Sequence, residues 1–181
     1  MRRLTMLALV FLVPLLSGEP LLTAYRTETV PVIDGRLDEP CWRAAIASSH
    51  FLLATGDGLP TEPTWVRLGW TPTHLYVGIE AREPLLDPVL NLLHKVKADA
   101  DGADASVFGD DCVELFLQPP GQPYLHFAAN SASGTYEGRG MDKAWNGTWE
   151  CRTSRGKTAY FVEMAIPFAR SEERRVGKEC R

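Results

Sequence analysis

Short runs of alternating apolar and polar residues, separated by turn residues, fill most of this sequence of 181 residues. The clearest runs are TWVRLGW, HLYVGIEARE, CVELFLQ, YLHFAAN, GTYEGRG, TWECRTS and AYFVEMAIPF, and TETVPVI and HFLLAT precede them. A two-residue period between Gly-, Pro- and Asp-rich turns is typical of β-strands. A single helical turn, residues 40–45 with Trp42, is the main interruption. Strands at this spacing predict an all-β fold, an antiparallel β-sandwich.

The N-terminal residues have the layout of a secretory signal peptide. Arg2 and Arg3 precede an apolar run, and the small residues Ser17 and Gly18 follow it. The apolar run is too short for a membrane span, and cleavage near residue 18 or residue 24 suits the small-residue requirement. We therefore expect residues 1–24 to be removed on export. The mature protein is then secreted or periplasmic, with no membrane insertion.

The C-terminal segment RSEERRVGKECR, residues 170–181, has no strand period and hardly any apolar residue. It is similar to the translation of a common sequencing-adapter oligonucleotide, so we expect a non-native tail after a domain of residues 25–169. On this interpretation the sandwich is incomplete at its C-terminus. An incomplete sandwich has an open sheet edge and exposes core side chains such as Val162, Met164 and Ile166.

Charge, cysteines and motifs exclude several classes of function. The formal net charge is −4, and no basic patch is visible, which argues against nucleic-acid partners. The four cysteines lack metal-ligand spacing, although one disulfide, Cys112–Cys151, stays open as an alternative. The acidic run ADADGADAS lacks the spacing of a calcium loop, so no metal ligands are assigned. Catalytic motifs such as G-x-S-x-G and H-E-x-x-H are absent, and we predict a protein that is not an enzyme.

One face of a predicted hairpin combines polar and aromatic groups. The runs CVELFLQ and YLHFAAN flank the turn PPGQP, and alternation directs Val113, Leu115 and Phe127 towards the core. The opposite face has Glu114, Phe116, Tyr124, His126 and Asn130. Sugar sites need polar groups for hydroxyls and aromatic rings for the C–H faces of sugars. Periodicity alone also fits a solvated polar face, so both interpretations stay open.

Six segments together resemble family-9 carbohydrate-binding modules. In order they are VIDGRLDEPCW, HLYVGIEARE, DDCVELFL, HFAAN, WNGTWE and VEMAIPF, from Val32 to Phe168. The resemblance implies an immunoglobulin-like antiparallel β-sandwich that binds mono- or oligosaccharides without cleaving them. It also implies fusion to further domains, commonly in secreted glycoside hydrolases that act on plant polysaccharides. Modules of this family can hold structural calcium, but no cofactor is firmly implied for this chain.

The resemblance assigns part of a binding site. Glu114 matches the family Glu that hydrogen-bonds sugar hydroxyls, and Phe108 takes the place of a stacking Trp. Asn130 keeps a polar end on the next strand, whereas Ala128 stands where the family has an Arg that reaches the sugar. With His126 and Tyr124 from the same face, these residues form the predicted carbohydrate site.

Some distant relatives bind haem, which gives an alternative function. On the same sandwich fold, the chain would then be a haem-binding electron-transfer domain. Met141 and Met164 are the candidate axial ligands, although both fit better as loop and core residues. The sandwich fold alone does not separate this function from sugar binding.

Overall fold

The computed structural model describes residues 22–53, 58–83 and 106–168. Eight strands and one short helix, α1, form in this part of the chain. The strands are β1 (Ala24–Arg26), β2 (Thr64–Trp70), β3 (His74–Arg82), β4 (Cys112–Leu117), β5 (Leu125–Asn130), β6 (Thr135–Arg139), β7 (Glu150–Arg155) and β8 (Ala159–Pro167). Helix α1 is Pro40–Ala44, and a 3-10 helix, Val107–Gly109, precedes β4. No helix among these residues is long and apolar enough to cross a membrane.

The strands form two sheets. One sheet has five strands in the order β1-β2-β3-β8-β7, and the other has three in the order β4-β5-β6. All neighbouring strands are antiparallel except β1, which pairs with β2 in parallel. The hairpins predicted from TWVRLGW with HLYVGIEARE, and from CVELFLQ with YLHFAAN, are confirmed as β2–β3 and β4–β5.

The inner faces of the two sheets pack against each other around one apolar core. Val77, Val162 and Met164 of the five-stranded sheet are fully buried and meet Phe127 of the three-stranded sheet. The ring of Phe127 lies 4.8 Å from that of Trp149, between centroids. The predicted β-sandwich is therefore confirmed in the described residues, as an all-β fold with almost no helix.

A second, smaller cluster attaches the N-terminal segment to the outer face of the five-stranded sheet. Trp42 of α1 is buried there with Cys41, Tyr76 and Ala165. A Cβ atom on Gly78 would lie 3.1 Å from the indole ring, so only glycine leaves Trp42 room to lie flat on β3. The prediction of a helical turn around Trp42 is confirmed by α1.

A buried carboxylate fixes the same segment. Glu163 of β8 is fully buried, and its Oε1 accepts a hydrogen bond of 2.8 Å from Nε1 of Trp42. Its Oε2 accepts hydrogen bonds of 3.0 Å from the backbone N–H groups of Asp34 and Gly35. Gly35 adopts a φ of +82°, and an added Cβ would lie 2.8 Å from the backbone of Thr153. The turn DGR therefore docks directly on β7 and β8.

Three expectations from the sequence are wrong in the described residues, and one alternative that the sequence left open, a Cys112–Cys151 disulfide, does not form. TETVPVI forms no strand, since β1 ends at Arg26, and no strand covers residues 51–53 of HFLLAT. Val162, Met164 and Ile166 are buried rather than exposed, because they lie on the inner face of β8 and pack in one core with Phe127 of the other sheet. Cys112 and Cys151 are free thiols and form no disulfide. Burial raises the pKa of Cys151 to about 12, which keeps this thiol protonated at neutral pH.

The predicted signal peptide lies almost entirely outside the described residues, as do the predicted tail and most of the acidic run ADADGADAS.

Candidate functional site

The outer face of the three-stranded sheet brings most of the predicted site residues together. Strand register places Phe116 of β4 opposite His126 of β5, and Glu114 opposite Ala128. Ala128 in turn lies opposite Tyr136 of β6. Because side chains on paired positions share a face, Glu114, His126 and Tyr136 line one surface across three strands.

Five rings form a continuous group on this face, here called the aromatic cluster. Its members are Phe108, Phe116, Tyr124, His126 and Tyr136. The imidazole of His126 stacks on Phe116, with 4.1 Å between centroids and planes 17° apart. Phe108 meets Tyr136 edge to face at 4.8 Å, and Tyr124 lies 5.9 Å from Phe116.

His126 and Glu114 form the polar centre of the cluster. Nε2 of His126 lies 2.8 Å from Oε2 of Glu114, within hydrogen-bond distance. The His126 side chain is only 14% exposed, whereas that of Glu114 is 42% exposed. The hydrogen bond and the stacked Phe116 ring thus hold His126 in place. A carboxylate has several lone-pair sites, so Glu114 can still accept hydrogen bonds from a ligand.

Two rings of the cluster are open to solvent. Phe108 is 49% exposed, and Phe116 is 57% exposed. Their ring centroids lie 5.6 Å and 4.1 Å, respectively, from that of His126. Half-exposed phenyl rings beside a hydrogen-bonding carboxylate provide both kinds of contact that a sugar ring requires.

The structure places Asn130 differently from the other predicted site residues. It is fully buried, and its Oδ1 accepts hydrogen bonds from the backbone N–H groups of Ala132 and Gly134, at 2.9 and 2.8 Å. Its Nδ2 donates to Oδ2 of Asp110 at 2.8 Å. The amide therefore supports the β5–β6 turn and the residue that follows the 3-10 helix. In this arrangement Asn130 offers no exposed group to a ligand, and its bond to Asp110 ties the end of β5 to the C-cap of the 3-10 helix that contains Phe108.

Ala128 leaves the centre of the face without a long polar side chain. It is fully buried, and the 3-10 helix with Phe108 packs on the same strand, β5. From its resemblance to family-9 modules, the sequence predicted a site in which Ala128 stands where the family has an Arg. In the structure Tyr136 lies opposite Ala128 on the neighbouring strand, and its hydroxyl oxygen lies beside Gly138.

Sequence reasoning missed Tyr136, Gly138 and Asp110. A Cβ atom on Gly138 would lie 2.8 Å from the Tyr136 hydroxyl oxygen, so the glycine leaves room for that side chain. The alternation in GTYEGRG was the available signal, but only the pairing of β5 with β6 places Tyr136 on the aromatic face.

Negative charge dominates one end of the face. Burial raises the pKa of Cys112, and the nearby carboxylates of Glu114, Asp110 and Asp111 raise it further. No group of three or more metal-ligating side chains occurs among the described residues. This end of the face favours partners that donate hydrogen bonds, such as hydroxyl groups.

The two methionines considered for haem lie in unrelated surroundings. Met164 is fully buried in the sandwich core, and Met141 is exposed in the turn after β6. Neither residue belongs to the aromatic cluster.

Comparison with solved structures identifies similar folds. A family-9 carbohydrate-binding module from Caldicellulosiruptor kristjanssonii in complex with glucose has a TM-score of 0.59 and 20% identity, covering 83% of this chain and 69% of the module. Its complex with cellotriose also has a TM-score of 0.59, with 21% identity and coverage of 81% and 68%. A candidate carbohydrate-binding protein from Bacteroides uniformis has a TM-score of 0.60 and 17% identity, with coverage of 81% and 72%.

No protein-family model matches the chain, and no curated protein sequence matches it. The described residues nevertheless form the β-sandwich that these solved structures share. In its fold, this chain is similar to these family-9 carbohydrate-binding modules.

Proposed function

We propose that the domain binds mono- or oligosaccharides, without cleaving them, on the outer face of β4, β5 and β6. The observation that carries the proposal is the Glu114–His126 pair, flanked by the exposed rings of Phe108 and Phe116. The two complexes with glucose and cellotriose support the ligand class, because those modules have the same fold.

Each group on the face has a role in this proposal. Glu114 accepts hydrogen bonds from sugar hydroxyls, and His126 orients its carboxylate. Phe108 and Phe116 provide apolar surfaces for the C–H faces of a pyranose ring. Tyr124 and Tyr136 border the site and offer phenolic hydroxyls. Asn130 supports Phe108 from beneath through Asp110.

The proposal extends to the biological setting. A non-catalytic sugar-binding domain that follows an export signal would direct an exported protein to polysaccharide. We infer that the full-length protein belongs to a polysaccharide-degrading system, in which a glycoside hydrolase domain performs the cleavage. The signal-like residues Arg2 to Gly18 and the family resemblance support this inference.

Calorimetry with glucose and cellotriose tests the binding site. We expect heat of binding from the parent chain and at least about tenfold weaker binding for Glu114→Ala, which removes the central acceptor. Glu150→Ala is the matched control, because Glu150 is exposed on β7 in the other sheet. Equal affinities for the parent and Glu114→Ala would overturn the site. No binding to any of a panel of plant and microbial sugars would overturn the function.

A further inference from the structure

The outer face of the five-stranded sheet contains a cavity of about 350 Å³, remote from the aromatic cluster. Arg67 of β2, Glu80 of β3 and Phe161 of β8 form its floor, and Arg36, Arg43 and Trp42 of the N-terminal segment form one wall. We call this the arginine pocket. Its volume lies within the range of ordinary small-molecule sites, about 300–1,000 Å³.

Positive charge is concentrated in the arginine pocket. Three arginines line it together with two carboxylate residues, Asp38 and Glu80, although the whole chain has a formal net charge of −4. Arg43 donates a hydrogen bond to the backbone carbonyl of Asp38. Arg36 is exposed on the wall. An acidic protein that gathers arginines around one cavity presents a local site for anions.

Arg67 lacks a complete set of partners. Its Nη1 lies 3.7 Å from Oε2 of Glu80, too far for a hydrogen bond. This buried nitrogen has no hydrogen-bond partner within residues 22–53, 58–83 and 106–168. The side chain as a whole is 23% exposed and that of Glu80 is 30% exposed. A guanidinium that is mostly buried and only loosely paired gains from a further oxygen anion at its exposed side.

The rest of the pocket suits a small organic anion with an apolar face. Phe161 is partly exposed and presents its ring beside Glu80, with which it pairs across β3 and β8. Glu80 can accept hydrogen bonds from hydroxyls while Arg67 binds a carboxylate with its planar donors. One molecule that has a carboxylate, hydroxyls and a C–H face is a sugar acid.

We propose that the arginine pocket is a second ligand site that binds a uronic acid through its carboxylate. Arg67 binds the carboxylate, Arg36 and Arg43 add attraction at the rim, and Phe161 contacts the sugar ring. The proposal does not depend on neutral-sugar binding by the aromatic cluster, because the two faces belong to different sheets.

Titration of the full chain with glucuronate, followed by calorimetry and by chemical shifts, tests this proposal. We expect glucuronate to bind at least tenfold more tightly than glucose in a protein that also has Glu114→Ala. Arg67→Gln should weaken glucuronate binding about tenfold. Glu80→Gln keeps a side-chain oxygen that accepts hydrogen bonds from hydroxyls but removes the negative charge that repels the ligand's carboxylate, so it should tighten binding several-fold. Opposite effects of these two variants separate ligand binding from a merely structural role, which would impair both.

Controls and contrary outcomes are defined by charge and position. Arg139→Gln removes the same charge from an exposed position on β6 and should leave the glucuronate affinity unchanged. Acetate and sulfate should compete only weakly, since they lack the sugar ring. Equal competition by sulfate would overturn the assignment to a sugar acid. Undetectable glucuronate binding, or weakening by both Arg67→Gln and Glu80→Gln in folded variants, would overturn the site. Loss of glucose binding alone would bear only on the aromatic cluster.

Discussion

Glu163 shows how one residue can determine the attachment of an entire segment. Its carboxylate is fully buried and accepts three hydrogen bonds, from Trp42, Asp34 and Gly35. Burial raises the pKa of Glu163 above its ordinary value, while these three donors oppose the rise. The donors therefore matter most when the carboxylate is ionised.

The effect of pH on stability follows from the direction of this shift. Since the folded state holds the Glu163 proton more tightly than the unfolded chain does, its contribution to the free energy of unfolding is greatest in acid. It falls as the pH rises from about 4.5 through the raised pKa. Removing a donor raises the pKa further and so increases the loss at neutral pH.

Trp42→Phe tests this relationship, because it keeps an aromatic ring but removes the Nε1–H donor. We expect the variant to lose about 1.5–3 kcal/mol of unfolding free energy at pH 7 and clearly less near pH 4.5. Urea unfolding at both pH values measures the difference. Trp149→Phe, in the sandwich core, is the matched control, and its cost should not change with pH. A pH-independent cost for Trp42→Phe would contradict the role given to Glu163.

At the scale of elements, the β5–β6 hairpin and the 3-10 helix act as one unit. Asn130 ends β5, its Oδ1 holds the following turn, and its Nδ2 reaches Asp110 next to the 3-10 helix. Ser133 in this turn has a φ of 70°, an uncommon left-handed conformation for a residue other than glycine. The hydrogen bonds of Asn130 help to maintain that conformation.

Asn130→Ala should therefore affect stability and binding together. We expect a loss of about 1–3 kcal/mol in unfolding free energy, because one buried and one partly buried N–H group lose their acceptor. Glucose binding should weaken as Phe108 loses its support, and calorimetry on the folded variant measures this. If Asn130 acts through Phe108, the double variant with Phe108→Ala should bind no worse than Phe108→Ala alone. If the losses of binding free energy from Asn130→Ala and Phe108→Ala add in the double variant, Asn130 contacts the sugar directly.

The sequence predicted elements well wherever local alternation decided them. Both hairpins follow from their patterns. The alternation of side chains along each strand also placed Glu114 and His126 correctly on one face. Alternation also placed Asn130 at the observed register position, opposite Cys112, but it could not predict that hydrogen bonds to the following turn and to Asp110 bury the amide. Alternation failed for TETVPVI, where no strand forms; the next residues, Asp34 and Gly35, dock on Glu163, which lies 129 residues beyond Asp34. A contact at that separation leaves no local pattern.

At the scale of the whole molecule, the two proposed sites occupy opposite outer surfaces of the sandwich. The aromatic cluster lies on β4, β5 and β6, and the arginine pocket lies on β2, β3 and β8. The fully buried core residues Val77, Phe127 and Met164 lie between them. The two sites share no side chain, so their energetics should be independent.

Independence can be measured with a double-variant cycle. Glu114→Ala should weaken glucose alone, and Arg67→Gln should weaken glucuronate alone. In the double variant, the loss of binding free energy for each sugar should equal the loss in the corresponding single variant, within about 0.5 kcal/mol. Calorimetry with both sugars on four proteins provides the test. A coupling larger than this would show that the sheets transmit a change through the core.

The central position of β8 also sets an order of events during synthesis. The hairpin β2–β3 is complete long before the ribosome reaches β8, which is the antiparallel neighbour of β3 and provides Glu163. At about 5–20 residues per second, the interval is on the order of ten seconds. Throughout it the nascent chain presents an unpaired edge of β3 and the apolar side of a two-stranded ribbon, and the indole of Trp42 has no carboxylate to bind. Such a chain depends on protection from self-association until its last described strand is made.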